Sequence, residues 1–345
     1  MNNIVESSKY CVLAGMGRSG TNYLLDLLDL SSTTICRNEP DEILGSQFCN
    51  LNYKNATHSS EIPTEFKEAW LNTLNDERSA FSIRDRKFGC NKDFIKSAWG
   101  NAFASWLLSG QGKRNVLKWI WPSLSGVRYS LPHLLIDDNK LKDATLVIKS
   151  NMKLGWMLYL VDREPSVSVF HIIRHPAGYF SSMKHRYIAK VGEEAARKGA
   201  IERLESIAVN DPNWRKKFNS FGSISQMSMV ELSICWWWCF NETLYLAAKN
   251  NDQYLSMRFE DVVSDPLLYA ENIYLHAGIE DVTESLKRAE KLEHQDWKSK
   301  QRRNNYMNPD KGNIDSWRKK LSEQEVDVAL QILQKSIFNN MWDAD

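Results

Sequence analysis

Four things are scarce in this 345-residue chain, and each scarcity removes a class of function. Net charge is nearly absent: 44 Lys and Arg against 43 Asp and Glu leave a formal +1. A broad basic footprint for a phosphate backbone is therefore missing, and no nucleic-acid partner is expected. Cysteine is scattered, with Cys11, Cys36, Cys49, Cys90, Cys235 and Cys239 forming no C-x-x-C pair. A chain this long needs no disulfide framework, so reduced, packed thiols are expected. Metal-ligand patterns are missing too. His171 and His175 have the right separation for one helix face, but a strand-like run and then Pro176 break the helix that this spacing requires, so no metal is expected. Finally, no apolar run is long enough to cross a bilayer, and no basic segment followed by an apolar one precedes the first strand. The expectation is a soluble, cytoplasmic protein without a membrane span.

What the chain does have is 43% apolar residues, enough for one large core. Near the start, a short apolar run (Val12, Leu13, Ala14) meets a turn rich in glycine (Gly15, Gly17, Gly20), and an amphipathic stretch begins at Thr21. That pattern predicts strand, tight loop and helix N-terminus. Backbone N–H groups of such a loop and the positive end of the helix together cradle an anion, usually phosphate.

Three templates fit this loop unequally. Gly15-x-x-x-x-Gly20 begins like a nucleoside-triphosphatase loop but continues Thr21-Asn22, where that chemistry needs Lys and a hydroxyl. Gly15-x-Gly17-x-x-Gly20 matches the dinucleotide fingerprint, and Glu39 lies near the separation of a ribose-binding acid. The third template takes in Arg18, a cation inside the loop with the Ser19 and Thr21 hydroxyls beside it.

A second motif bears on the choice. Residues 167–183 read VSVFHIIRHPAGYFSSM. Val167 to Ile173 is the β-branched, apolar pattern of a buried parallel strand. Arg174 stands at its C-terminal end, and Pro176 suits the first turn of a helix. Ligands of open α/β sheets bind at those strand ends, where Arg174 and the helix-borne Ser182 would converge on one more phosphate. Ser181 is the neighbouring alternative.

With both motifs in view, GMGRSGT and RHPAGYFSS resemble the nucleotide-binding motifs of sulfotransferases that use 3′-phosphoadenosine 5′-phosphosulfate (PAPS). The likeness is nearer to bacterial and glycan-type members than to cytosolic phenol-type ones. Weaker stretches extend it: TLVIKS at 145–150 with Lys149, YLSMRFEDVVSDP at 254–266, and KGNIDSWRKKL at 311–321. The resemblance implies an α/β, P-loop-like three-layer fold, a central parallel sheet flanked by helices. It implies PAPS as cosubstrate, and no metal. Gly15, Gly17, Arg18, Ser19, Gly20, Thr21 and Asn22 would surround the 5′-phosphosulfate. Arg174 and Ser182 would hold the 3′-phosphate, and Lys311-Gly312 would close over the nucleotide. Glu260 and Asp261 read as structural.

Sulfuryl transfer, like phosphoryl transfer, rests on positioning and charge stabilisation. Arg cannot give up a proton at neutral pH, so Arg18 is expected to stabilise the leaving phosphate rather than to protonate it. Lys149, at a neighbouring strand end, is expected beside the sulfuryl group or bridging oxygen. Phenol-type relatives carry a His base two residues after such a Lys, but this chain has Asn151 there. Glu39, in the Arg37-Asn38-Glu39-Pro40 turn, is the expected base in its place. A salt bridge from Glu39 to Arg37 or Arg18 is the structural alternative, and Asp41 and Glu42 are the fallback bases.

Residues 1–345 read as a single domain, with 41–140 as a largely helical insertion that caps the cleft and shapes the acceptor site. Lys118 and Trp119-Ile120-Trp121 fall in it. Residues 185–225 carry an exposed helix. The basic stretch 298–312 (Lys298, Lys300, Arg302, Arg303, Lys311) is either a solvated loop or a lid. The Cys235–Cys239 segment, with Trp236, Trp237 and Trp238 between, reads as a buried packing helix. The acceptor, a small molecule or a glycan offering a hydroxyl or amine, stays open. Two rival functions stand beside the sulfotransferase: an NAD(P)-dependent oxidoreductase, and a non-catalytic nucleotide-binding protein of the same fold.

Overall fold

The structure is a computed structural model that describes residues 10–40, 55–62, 80–82, 88–108, 128–131, 133–164, 166–294 and 314–342. Asp41, Glu42, Lys118, the Trp119-Ile120-Trp121 run and the basic stretch 298–312, with Lys311 and Gly312, lie outside the described residues.

Five strands form one parallel sheet: β1 (Tyr10–Gly15), β2 (Thr34–Asn38), β5 (Thr145–Asn151), β6 (Ser168–Ile173) and β7 (Tyr254–Arg258). Their order across the sheet is β2-β5-β1-β6-β7. A separate antiparallel pair, β3 (Ala80–Ser82) with β4 (Arg128–Ser130), lies between β2 and β5 in the chain. All five expected strands are present. The last ends at Arg258 because Phe259 already opens a helix.

β1 is central, which explains its composition. Cys11, Val12, Leu13 and Ala14 are all at most 1% exposed, as a strand covered on both faces must be. Alternate residues serve two cores: Val12 and Ala14 belong to one, Cys11 and Leu13 to the other. Helix α1 (Thr21–Leu28) packs into the second core. Helices α2 (Leu154–Arg163), α3 (Pro176–Met183) and α5 (Met229–Ala248) pack into the first. Between α3 and α5 in the chain runs α4 (Glu193–Asn210), exposed except for a stripe that includes Ala196, Leu204, Ile207 and Ala208. The result is a three-layer α/β fold.

Helix α5 starts with a capping box, Ser228 with Glu231, and then buries its whole middle. Cys235, Trp236, Trp237, Trp238 and Cys239 are all 3% exposed or less. Burial pushes the Cys235 thiol up to about 12, so it packs as an apolar group. The indoles also build the site. The Trp237 Nε1–H donates to the Arg174 carbonyl at 2.9 Å, fixing the chain where β6 ends. His171 is fully buried between the Tyr254 hydroxyl (2.6 Å) and Asn241 Oδ1 (2.9 Å), and burial lowers its pKa to about 4. It is therefore a neutral strut joining β6, β7 and α5. Among the described residues, no helix is long and apolar enough to cross a membrane.

Candidate active site

The sheet order sets the site. The carboxyl ends of β5, β1 and β6 lie side by side, with Gly15 paired to Asn151 on one flank and to Ile172 on the other.

From β1 the chain turns through Met16 to Gly20. The Ser19 N–H donates to the Met16 carbonyl at 3.1 Å, which makes the turn tight. Arg18 (φ 76°) and Gly20 (φ 94°) both adopt the left-handed backbone. For Arg18 that conformation costs about 1–2 kcal/mol, strain of the kind that gathers at functional loops. Gly20 caps α1 with no side chain, and a Cβ there would lie 2.3 Å from the Phe259 ring. Gly20→Ala is thus opposed by both backbone and contact. Urea unfolding should show at least about 1 kcal/mol lost; an unchanged midpoint would mean that Phe259 swings aside freely.

At the end of β6, Arg174 reaches back across this loop. Its Nη1 donates to the Arg18 carbonyl at 2.9 Å, and its guanidinium lies 4.6 Å from the centre of the Phe259 ring. Arg18 in turn donates from Nε to Ser182 Oγ, 3.2 Å away on α3. The two sequence motifs therefore meet: Arg18, Arg174 and Ser182 form one cluster. Burial lowers the Arg174 pKa to about 10, with Glu260 opposing and Arg18 and Arg186 reinforcing the shift. Glu260 spends its own carboxylate elsewhere, on the His175 N–H at 3.0 Å and the Trp342 Nε1–H at 3.2 Å. Two buried polar atoms of the cluster have no hydrogen-bond partner, Ser19 Oγ and Arg174 Nε. Orphaned donors beside adjacent guanidinium groups are the complement of an oxyanion. From the C-terminal part of the chain, Trp317 stacks on His175 with ring centres 4.8 Å apart.

The other side of the loop is built by β2 and β5. Glu39 (φ 52°) extends their pairing by one bond, its N–H donating to the Lys149 carbonyl at 2.8 Å. Its Oε1 accepts from Lys149 Nζ at 3.2 Å and from Asn151 Nδ2 at 2.8 Å. Lys149 also donates to Asn38 Oδ1 at 2.8 Å. Asn151 Oδ1 accepts from the Thr21 hydroxyl at 2.9 Å. A hydrogen-bonded chain thus runs from the first residue of α1 through Asn151 to the Glu39 carboxylate. Lys149 and Asn151 thus both hold that carboxylate. A cleft of about 410 Å³ opens beside it, lined by Gly17, Glu39 and Asn151 among others.

The predicted site residues divide accordingly. Gly15, Gly17, Ser19, Gly20, Thr21 and Asn22 sit on the loop and first turn of α1; Arg18, Arg174 and Ser182 gather on one side of it, Glu39 and Lys149 on the other. Sequence reasoning missed Asn151 as a bridge and Phe259 as the ring under Arg174. Neither had a local signal, because each acts only through partners far away in the chain. The topology also bears on the dinucleotide rival. In that fold the strand carrying the ribose-binding acid lies directly beside the first strand. Here β5 stands between β1 and β2, and Glu39 is tied to it.

No family model matches this sequence, and no curated protein does. Solved structures that match in chain course include two sulfotransferase domains. One is the sulfotransferase domain of the olefin synthase from Synechococcus PCC 7002, 14% identical, covering 93% of this chain and 94% of that one, with a TM-score of 0.39. The other is the sulfotransferase domain from the curacin biosynthetic pathway, 12% identical, covering 93% and 96%, with a TM-score of 0.37.

Proposed function

We propose that this chain is a sulfotransferase that moves a sulfuryl group from PAPS to a hydroxyl or amine of an acceptor. The observation that carries the reading is the Arg18–Arg174–Ser182 cluster at the ends of β1 and β6, where the unpartnered Ser19 Oγ and Arg174 Nε suit an oxyanion. These residues fit the phosphates of the donor: the loop and α1 the 5′ end, Arg174 and Ser182 the 3′ end. PAPS supplies the activated sulfuryl group.

In this reading Glu39 removes the acceptor proton as the acceptor oxygen bonds to sulfur. Arg18 and the loop N–H groups stabilise the electron pair left on the phosphate oxygen as the old sulfur–oxygen bond breaks. Lys149 donates to Glu39 and holds it aimed. Asn151 couples that aim to the nucleotide loop through Thr21. The single domain is completed by the 41–140 insertion, whose Asn55 lines the cleft beside Glu39 and so supports a part in shaping the acceptor site.

Donor choice tests the reading. Differential scanning fluorimetry should show stabilisation by 3′-phosphoadenosine 5′-phosphate (PAP) and little by NADH or ATP. Calorimetry on Arg174→Ala should show the preference for PAP over AMP falling by about ten- to a hundredfold, the scale of one lost charge-assisted hydrogen bond. Discrimination that survives in Arg174→Ala would remove Arg174 from the 3′-phosphate.

A further inference from the structure

The cleft beside Glu39 is also lined by Lys153 and, from α4, by Gly199, Glu202 and Arg203. Arg203 is the unusual group. Four other buried or half-buried cations have a carboxylate: Lys92 with Asp29 at 2.8 Å, Lys149 with Glu39, Lys217 with Glu242, Arg288 with Asp281 at 3.2 Å. Arg203 has none, nor any hydrogen-bond acceptor, among the described residues. Its guanidinium lies 5.1 Å from the centre of the Trp236 ring, and the other groups acting on it are the phenols of Tyr179 and Tyr187. Burial lowers its pKa, and the two phenols offset that only in part. Glu202, its neighbour in sequence, is exposed at the rim and does not figure among the charges acting on it.

A half-buried guanidinium over an indole, with its donors unspent and lining a cleft, is built to receive an oxyanion. The loop cluster already repeats this pattern on the donor side. We infer that the acceptor is itself an acid: Arg203 binds a carboxylate or similar oxyanion of the acceptor while Glu39, which lines the same cleft, faces the hydroxyl that is sulfated. The cleft volume of about 410 Å³ suits a small hydroxy acid or the acidic end of a larger molecule. The inference rests on the sulfotransferase reading and deepens it.

The test uses paired probes with PAP or PAPS present. Glycerate, glucuronate and 4-hydroxyphenylacetate are each compared with the methyl ester, by thermal shift and calorimetry at saturating PAP and by label transfer from PAPS. In the wild type at least one acid should exceed its ester by about tenfold or more in affinity, the scale of one charge-assisted contact. Arg203→Gln keeps packing over Trp236, and it should abolish that preference while PAP still stabilises the variant normally. Arg203→Lys should keep part of it. Acids and esters binding alike, no acid binding at all, or a preference that persists in Arg203→Gln would each overturn the inference. An Arg203→Gln variant that loses affinity for PAPS but not for PAP would move Arg203 to the donor's sulfuryl group and overturn it as well. If PAP itself fails to bind the wild type, it is the donor assignment that falls, which keeps the two failures apart.

Discussion

Glu39→Gln should bind PAP about as tightly as the wild type and lose about a hundred- to ten-thousandfold in turnover, the range for removing a positioned base. The substitution keeps the shape of the side chain and an oxygen able to accept from Asn151. It removes the negative charge that faces Lys149 and the lone pair that takes the acceptor proton. Lys149 is 2% exposed, so the loss of its carboxylate partner will take some stability with it. Thermal unfolding of the variant separates that loss from chemistry. Glu39→Asp keeps the charge but draws it back by one methylene from Asn151 and from the cleft, and should recover only part of the rate. Single-turnover experiments with labelled PAPS at saturation give the deciding number. A rate near that of the wild type in Glu39→Gln would make the Glu39–Lys149 pair structural and send the search for the base to Asp41 and Glu42.

Arg18→Ala is the second large effect. Turnover should fall by about a hundredfold or more, the scale of removing one charge-stabilising donor from a transition state. Charge on the bridging oxygen develops only as the bond to sulfur breaks, so ground-state binding should change less than rate. Some loss of PAP affinity is still expected, because the Arg18 side chain touches Ser182 and its carbonyl holds Arg174. Those two contacts behave differently under mutation. The carbonyl survives in Arg18→Ala, so Arg174 stays anchored; the Nε bond to Ser182 does not. Arg18→Lys restores a charge without the two-pronged guanidinium and should rescue the rate in part. Steady-state and single-turnover kinetics separate the outcomes. A variant that binds nucleotide poorly but reacts at the normal rate once saturated would reduce Arg18 to a binding residue.

The local parts of this site were legible in the sequence because each is written in a contiguous run. Apolar residues leading into Gly15, Gly17 and Gly20 specify a strand, a turn that needs left-handed backbone, and a helix start. The run from Val167 to Ile173, then Arg174 and Pro176, specifies a buried strand whose end meets a helix N-terminus. The helix carrying Arg203 was legible as exposed, yet Arg203 itself is half-buried. Its cover, Trp236 and Tyr179, comes from α5 and α3, so composition along α4 holds no trace of it.

By itself, then, the sequence determined the strands, the glycine-rich loop, the Arg174–Ser182 spacing and the buried tryptophan helix, since these follow from periodicity and turn chemistry over a few residues. Only the tertiary structure decided which strand lies beside which. Placing β5 between β1 and β2 brings Asn151 to Glu39 and to Thr21, residues 112 and 130 positions away in the chain. Packing Phe259 under the loop makes Gly20 obligatory and gives Arg174 its ring. Such contacts depend on long-range pairing of elements that are each locally satisfied in several arrangements, and burial of both faces of the sheet selects one.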